Sequence, residues 1–267
     1  MAATAHPDIQ QPEPQQQQQQ QQEWTQVRRK QQPRHRNAGK KSQLKAPPPP
    51  VTRPDNTAAA AHLSVSDIQK DHDRLENQWR ESTCLRRLKD LVMASNSSKP
   101  KVTRAVCLGI GSFDPEDGAW EVKRRAHVQL AAFLSIIDSL QSLGEPSTIQ
   151  CFFQEPLFTA SDRDFVRSLG HEVVESPRGF EMVDRETLVF GIHLYRDIYS
   201  QAISRSVPAV FIGTGLNVWE EYHDTGGLDW ARMEELDRQC DKVQFPDDDG
   251  FTTFSSTSIH WRKPEET

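Results

Sequence analysis

A short apolar run, Arg104–Phe113, stops at Gly109-Ile110-Gly111-Ser112 and is followed by a long amphipathic segment. A strand ending in two glycines lets a phosphate or carboxylate approach bare backbone N–H groups, and the Ser112 hydroxyl can donate to the same anion. Glu155, in Gln154-Glu155-Pro156, ends the next apolar run where a ribose is often held, and Gly213 and Gly215 close a later one. Gly109, Gly111, Ser112, Glu155 and Gly213 are therefore the expected cofactor-binding set, for a nucleotide-like or S-adenosylmethionine-type ligand. The pattern departs from the dinucleotide fingerprint. Asp114 stands where a third glycine belongs, and Glu155 lies much further along than the roughly 20 residues that fingerprint uses. A tight strand-to-helix turn, in which small residues are needed by packing alone, accounts for the same glycines.

His193 closes another apolar run, and His260 sits in Thr257-Ser258-Ile259-His260. An imidazole titrates near neutrality and can serve as a general base or as a donor to an anion. These two are the candidates for a catalytic role, and a strand-end histidine bonded to backbone is the alternative for each. Asp162 follows Thr159-Ala160-Ser161 at the start of a predicted helix, so it reads either as a cap that satisfies free amides or as an acid. The sequence has no Gly-x-Ser-x-Gly, no Walker loop and no metal-spaced His/Glu set. No metal is expected, no cofactor can be named, and whether the chain is an enzyme stays open.

The elements that must position these residues alternate. Ala105–Leu108, Thr148–Phe153, His171–Glu175, Thr187–Ile192 and Pro208–Ile212 read as strands. Between them lie helices over Val122–Leu143, with Ala126, Leu130, Phe133, Ile137 and Leu140 on one stripe, over Ser161–Leu169 and over Tyr195–Ser204. Buried-type runs separated by helices imply parallel neighbours joined by right-handed crossovers. The expected fold is α/β, a doubly wound, mainly parallel five-stranded Rossmann-like sheet. Phe251–Trp261 alternates enough to add a strand at its edge, after an acidic and less regular stretch beyond Trp219.

Composition divides the chain further. Residues 1–23 carry three acids and no Lys or Arg, residues 24–54 nine Lys or Arg and no acid, and residues 55–267 are net -12 within a total of -6. A mean hydropathy of -0.72 and the polyglutamine run Gln15 to Gln22, the proline run Pro47 to Pro50 and the alanine run Ala58 to Ala61 mark residues 1–60 as a disordered basic leader. Its cluster Arg28-Arg29-Lys30 with Arg34, Arg36, Lys40 and Lys41 reads as a nuclear-import or nucleic-acid-contacting arm, or as a solvated charge run. Residues 61–98 are expected to be a helical extension: Ser64 to Asp67 has the form of a capping box, and Ile68, Leu75, Trp79, Leu85, Leu88 and Val92 recur at helical spacing. Residues 99–267 form the α/β domain. No apolar run reaches the roughly 18 residues of a membrane span and the N-terminus lacks a secretory pattern, so an intracellular protein is expected. Cys84, Cys107, Cys151 and Cys240 form no CxxC pair, and buried thiols are the expectation for Cys107 and Cys151.

The order of these motifs resembles the SRR-like family, named for the plant protein "sensitivity to red light reduced". The resemblance is carried by Val106 to Ser112, Gln129-Leu130-Ala131, Glu155 to Phe158 with Asp162, Leu169-Gly170, Thr187 to Phe190, His193 with Tyr199, Ile212-Gly213 and Thr257 to His260. The leader's Glu23 to Val27 and its basic tail match as well. It covers about residues 104–220 and the two flanks. This chain has Ile192-His193-Leu194 where the family tends to read Pro-His-Cys, and Gly213-Thr214-Gly215 where it tends to read Gly-Asn-Ser, which suggests a divergent, fungal-type member. The resemblance implies a regulatory protein of the light-signalling, circadian or haem-biosynthesis kind, acting in cytoplasm and nucleus through protein partners, with no established reaction. A Rossmann-like enzyme using a nucleotide or S-adenosylmethionine is the other reading of the residues.

Overall fold

The computed structural model describes residues 63–94, 100–143, 148–221 and 226–264. The leader and its basic cluster lie outside them, as do residues 95–99 at the end of the expected helical extension. Two helices come first, α1 (Val65–Glu81) and α2 (Thr83–Ala94). Ser64 caps α1, its Oγ accepting from Asp67 N at 3.3 Å, as Ser at an N-cap does for an otherwise orphaned amide. Ile68, Leu75, Trp79, Leu85, Leu88 and Val92 are all buried, as their spacing predicts.

The sheet has seven strands: β1 (Arg104–Leu108), β2 (Gln150–Gln154), β3 (Glu172–Val173), β4 (Thr187–Phe190), β5 (Val210–Thr214), β6 (Cys240–Gln244) and β7 (Thr257–Arg262). Their order is β3-β2-β1-β4-β5-β7-β6. The first five are parallel, as expected of a doubly wound sheet. β7 adds antiparallel to β5, with Ile212 opposite Ile259, and β6 then covers β7. The strand expected over Phe251–Trp261 is thus shorter, and it lies one place in from the edge. Residues 253–256 instead form a turn in which Phe254 is buried.

Helices cover both faces. α3 (Trp120–Leu143) lies between the sheet and α1 with α2, so Ala126, Leu130, Phe133 and Ile137 of the predicted stripe are buried and residues 126–133 are enclosed all round. His127, Gln129 and Ala131 are enclosed as fully as Leu130 and Phe133. The remaining helices are α4 (Ala160–Ser168), α5 (Arg178–Glu181), α6 (Arg196–Ile203), α7 (Leu216–Glu220) and α8 (Trp230–Gln239). Period-two alternation sorts the strand residues between two cores. Cys107, Phe190, Ile212 and Ile259 join Phe133, Trp79 and Leu88 on one face. Val106, Leu108, Val189 and Phe211 join Tyr199, Ile203 and Met233 on the other. All four cysteines are free and buried. Among the described residues no helix is long and apolar enough to cross a membrane.

Candidate functional site

Strand order reverses between β1, which leads outward through β2 to β3, and β4, which leads the other way to β5. Ligands of open α/β sheets bind beyond the strand ends at such a reversal. Gly109 and Gly111 are there, with φ of 63° and 85°, conformations that glycine adopts without a Cβ penalty. Glu155 is there too, but it faces the turn and not an open crevice. Its Oε2 accepts from Gly111 N and its Oε1 from Leu157 N, each at 2.8 Å. Burial raises the Glu155 pKa, and those two amides pull it back down.

Ser112 and Asp162 form the second half of the turn. Ser112 Oγ donates to Asp162 Oδ2 at 2.6 Å, and Phe113 N donates to Oδ1 at 3.2 Å. Asp162 also accepts from Thr159 N at 2.9 Å while its own N–H donates to Thr159 Oγ1 at 3.1 Å, which makes it the N3 member of a capping box on α4. Burial raises its pKa against the pull of these donors. The helix after the turn, α3, begins only at Trp120, well beyond Gly111, whereas a phosphate-binding loop leads directly into its helix.

The β4 side of the crevice is filled by Leu194. A Cβ built on Gly191 would lie 2.5 Å from Leu194 Cδ1, and one on Gly109 would collide with Leu194 Cδ2. Both glycines are the bed on which this side chain rests. Gly213 is a packing glycine of the same kind, since a Cβ there would meet Tyr199 Cε1 at 2.8 Å and Gly191 O at 2.9 Å. Tyr199 organises these strand ends. Its hydroxyl donates to Gly191 O at 2.7 Å and accepts from Thr214 N at 3.1 Å, and burial raises its pKa.

Beyond the ends of β4 and β5 lies a cavity of about 280 Å³, lined by His193, Leu194, Thr214, Trp219, Ser255 and Ser256 among others. His193 (φ 53°) and Ser256 (φ 56°) are the two non-glycine residues with positive φ among the described residues. Each such conformation costs roughly 1 kcal/mol, and both occur in the wall of one pocket. His193 Nε2 lies 2.7 Å from Ser255 O. A carbonyl only accepts, so a proton is assigned to Nε2, and in the neutral ring Nδ1 carries the lone pair.

His260 is elsewhere. It sits in β7 opposite Phe211 and Lys242, its ring 5.5 Å from that of Phe211, and burial holds it neutral with a pKa lowered to about 4. The structure therefore brings Gly109, Gly111, Ser112 and Glu155 into one turn, puts His193 in a separate cavity beside it, and leaves His260 in the sheet. Sequence reasoning missed Leu194, Thr214, Trp219 and Ser256. Only Gly-Thr-Gly at a strand end signalled any of them, and a positive φ at serine leaves no mark in a sequence. Among the described residues no three His, Cys, Asp or Glu side chains come together as a metal site would need.

A family model described as the SRR1 domain matches residues 72–261. No curated protein sequence matches the chain. Among solved structures it is similar to Thermoplasma acidophilum 1320, with 10% identity and a TM-score of 0.35 over 72% of this chain and 97% of that one. A chain from the complex between the Haloferax volcanii Trm112 methyltransferase activator and the putative methyltransferase gives 10% identity and a TM-score of 0.36, covering 77% and 100%.

Proposed function

Taking as premise that the chain belongs to the SRR1 domain family, we propose that it is a regulatory protein acting through protein partners, in roles of the light, circadian or haem-biosynthesis type that the family implies. It works in cytoplasm and nucleus, and its basic leader directs import or contacts partners. One observation supports this reading over a cofactor-dependent Rossmann enzyme. The donors and space that would receive a cofactor at the sheet reversal are used by the protein itself, Glu155 on Gly111 N and Leu194 over Gly109 and Gly191.

The test is a thermal-shift screen of adenine nucleotides, S-adenosylmethionine and haem on wild type and Gly111→Val, read as the ligand-induced change in each protein's own melting temperature. The regulatory reading expects no shift that depends on Gly111. A shift present in wild type and abolished in Gly111→Val would instead establish the glycine turn as a cofactor cradle, and with it the enzyme reading. The leader's part is tested separately: deleting residues 1–60 should alter localisation or partner capture, and an unchanged pattern removes that part.

A further inference from the structure

The cavity beyond β4 and β5 has a hydrogen-bonding character that its residues fix between them. His193 spends its ring proton on Ser255 O and keeps Nδ1 as an acceptor. Thr214 Oγ1 lies 3.2 Å from Tyr199 Oη. The Tyr199 proton already goes to Gly191 O, so Thr214 is the donor in that pair and turns lone pairs to the cavity. Ser255 Oγ likewise donates to Thr252 O at 3.0 Å. Its remaining capacity is to accept.

Among the described residues no Asp, Glu, Lys or Arg lines the space. An anion brought here would face the lone pairs of His193, Thr214 and Ser255 with the Ser256 hydroxyl as side-chain donor and no cation to compensate, so its desolvation would be poorly rewarded. A cation would find acceptors but no carboxylate, and the Arg196 guanidinium already stands 5.4 Å from the Trp219 ring. What fits is neutral and rich in donors. Leu194, Val218 and the Trp219 indole supply the smaller, apolar part of a mostly polar lining, against which the face of a ring can rest. The volume of about 280 Å³ lies just below the range of roughly 300 to 1,000 Å³ usual for ligand pockets, which restricts the occupant to a small molecule.

We propose that this cavity binds an uncharged, polyhydroxylated ring, of a free sugar or of a nucleoside, whose hydroxyls donate to His193 Nδ1 and Thr214 Oγ1 while its face lies on Trp219. The strained backbone at His193 and Ser256 is what aims these walls inward. The regulatory reading stands or falls apart from this, because it is tested at Gly111 and not here.

The experiment is isothermal titration of the full chain with ribose, glucose, adenosine and adenosine monophosphate. His193→Gly is the informative variant, since glycine accepts φ of 53° and only the ring is lost. The expected result is saturable binding of a sugar or of adenosine, no gain from the monophosphate, and a loss of about tenfold in His193→Gly, the size of one hydrogen bond to a ligand. A melting temperature that stays at the wild-type value in His193→Gly shows that this loss is not unfolding. Thr214→Val should weaken binding as well. Binding of ribose or glucose identifies a sugar site, and binding of adenosine alone a nucleoside site. The proposal is overturned if none of the neutral ligands saturates, if the monophosphate binds more tightly than adenosine, or if His193→Gly leaves the affinity unchanged.

Discussion

Tyr199 is the residue on which the strand ends depend. Removing its hydroxyl orphans the buried Gly191 carbonyl and the Thr214 amide that it serves at 2.7 and 3.1 Å. Tyr199→Phe is expected to destabilise by about 1 to 3 kcal/mol, the cost of leaving buried polar groups unpaired, as a lower urea midpoint at unchanged slope. Glycine and leucine form a second residue-scale unit. Gly191→Ala sets a Cβ against Leu194 and should cost about 1 to 3 kcal/mol by overpacking. In a Leu194→Ala background much of that cost should vanish, a coupling that a double-mutant cycle reads directly; strictly additive values would mean that Leu194 does not rest on Gly191. This unit was out of reach of the sequence. Gly109, Gly111 and Glu155 were legible as strand-end residues, but which group would fill the space between them depends on side-chain direction after a positive-φ histidine, and no spacing rule encodes that.

At the scale of elements, Arg124 fastens α3 to the turn before β7. Its guanidinium bonds Asp248 Oδ2 at 3.0 Å and stacks over Phe251, 3.2 Å from the ring centroid. Both charged side chains are largely withdrawn from water, at 13% and 8% exposed. Arg124→Ala leaves the Asp248 charge buried with only the Thr253 hydroxyl bonded to it at 2.8 Å and should cost about 3 kcal/mol, whereas removing both charges together should cost less; denaturant unfolding of the single and double variants distinguishes the two. Most elements could be read from the sequence because burial imposes a period. β1, β2, β4 and β5 are buried along most of their length and read as apolar runs, and α1 and α2 show a clear stripe. β6 could not, because Cys240-Asp241-Lys242-Val243-Gln244 is an outer strand with mostly exposed side chains, and hydrogen bonding to β7 sets its conformation where hydrophobic pattern does not. α8 hid in the same acidic stretch, burying only Met233 and Leu236.

The whole molecule carries a pH dependence that its buried imidazoles set. His127, packed against Phe113 and His72 at 4.9 and 5.6 Å, is held neutral by burial with a pKa lowered to about 3; Asp71, Arg74 and Lys123 are the charges around it. His72 is lowered by burial as well, and His260 to about 4. A lowered value in the fold means that the unfolded chain takes up protons first, so stability falls as pH drops from about 6.5 toward these values, by at most about 1.4 kcal/mol per pH unit for each group. Glu155 and Asp162 act in the opposite sense, because burial raises them and protonation favours the fold as pH falls through their folded values. Urea midpoints measured from pH 7 to pH 5 should decline in wild type and decline less in His127→Leu, which gives up no hydrogen bond since neither ring nitrogen has a partner among the described residues. An unchanged slope would exclude His127 as the source. The position of β7 has one more consequence, for biosynthesis. It pairs with β5 on one side and β6 on the other, so a nascent chain that has emerged as far as Gln244 holds two strands whose shared neighbour is still inside the ribosome. Five of the seven strands must wait with a naked β5 edge until Arg262 is free, and that interval is when chaperones and stray strands compete for it.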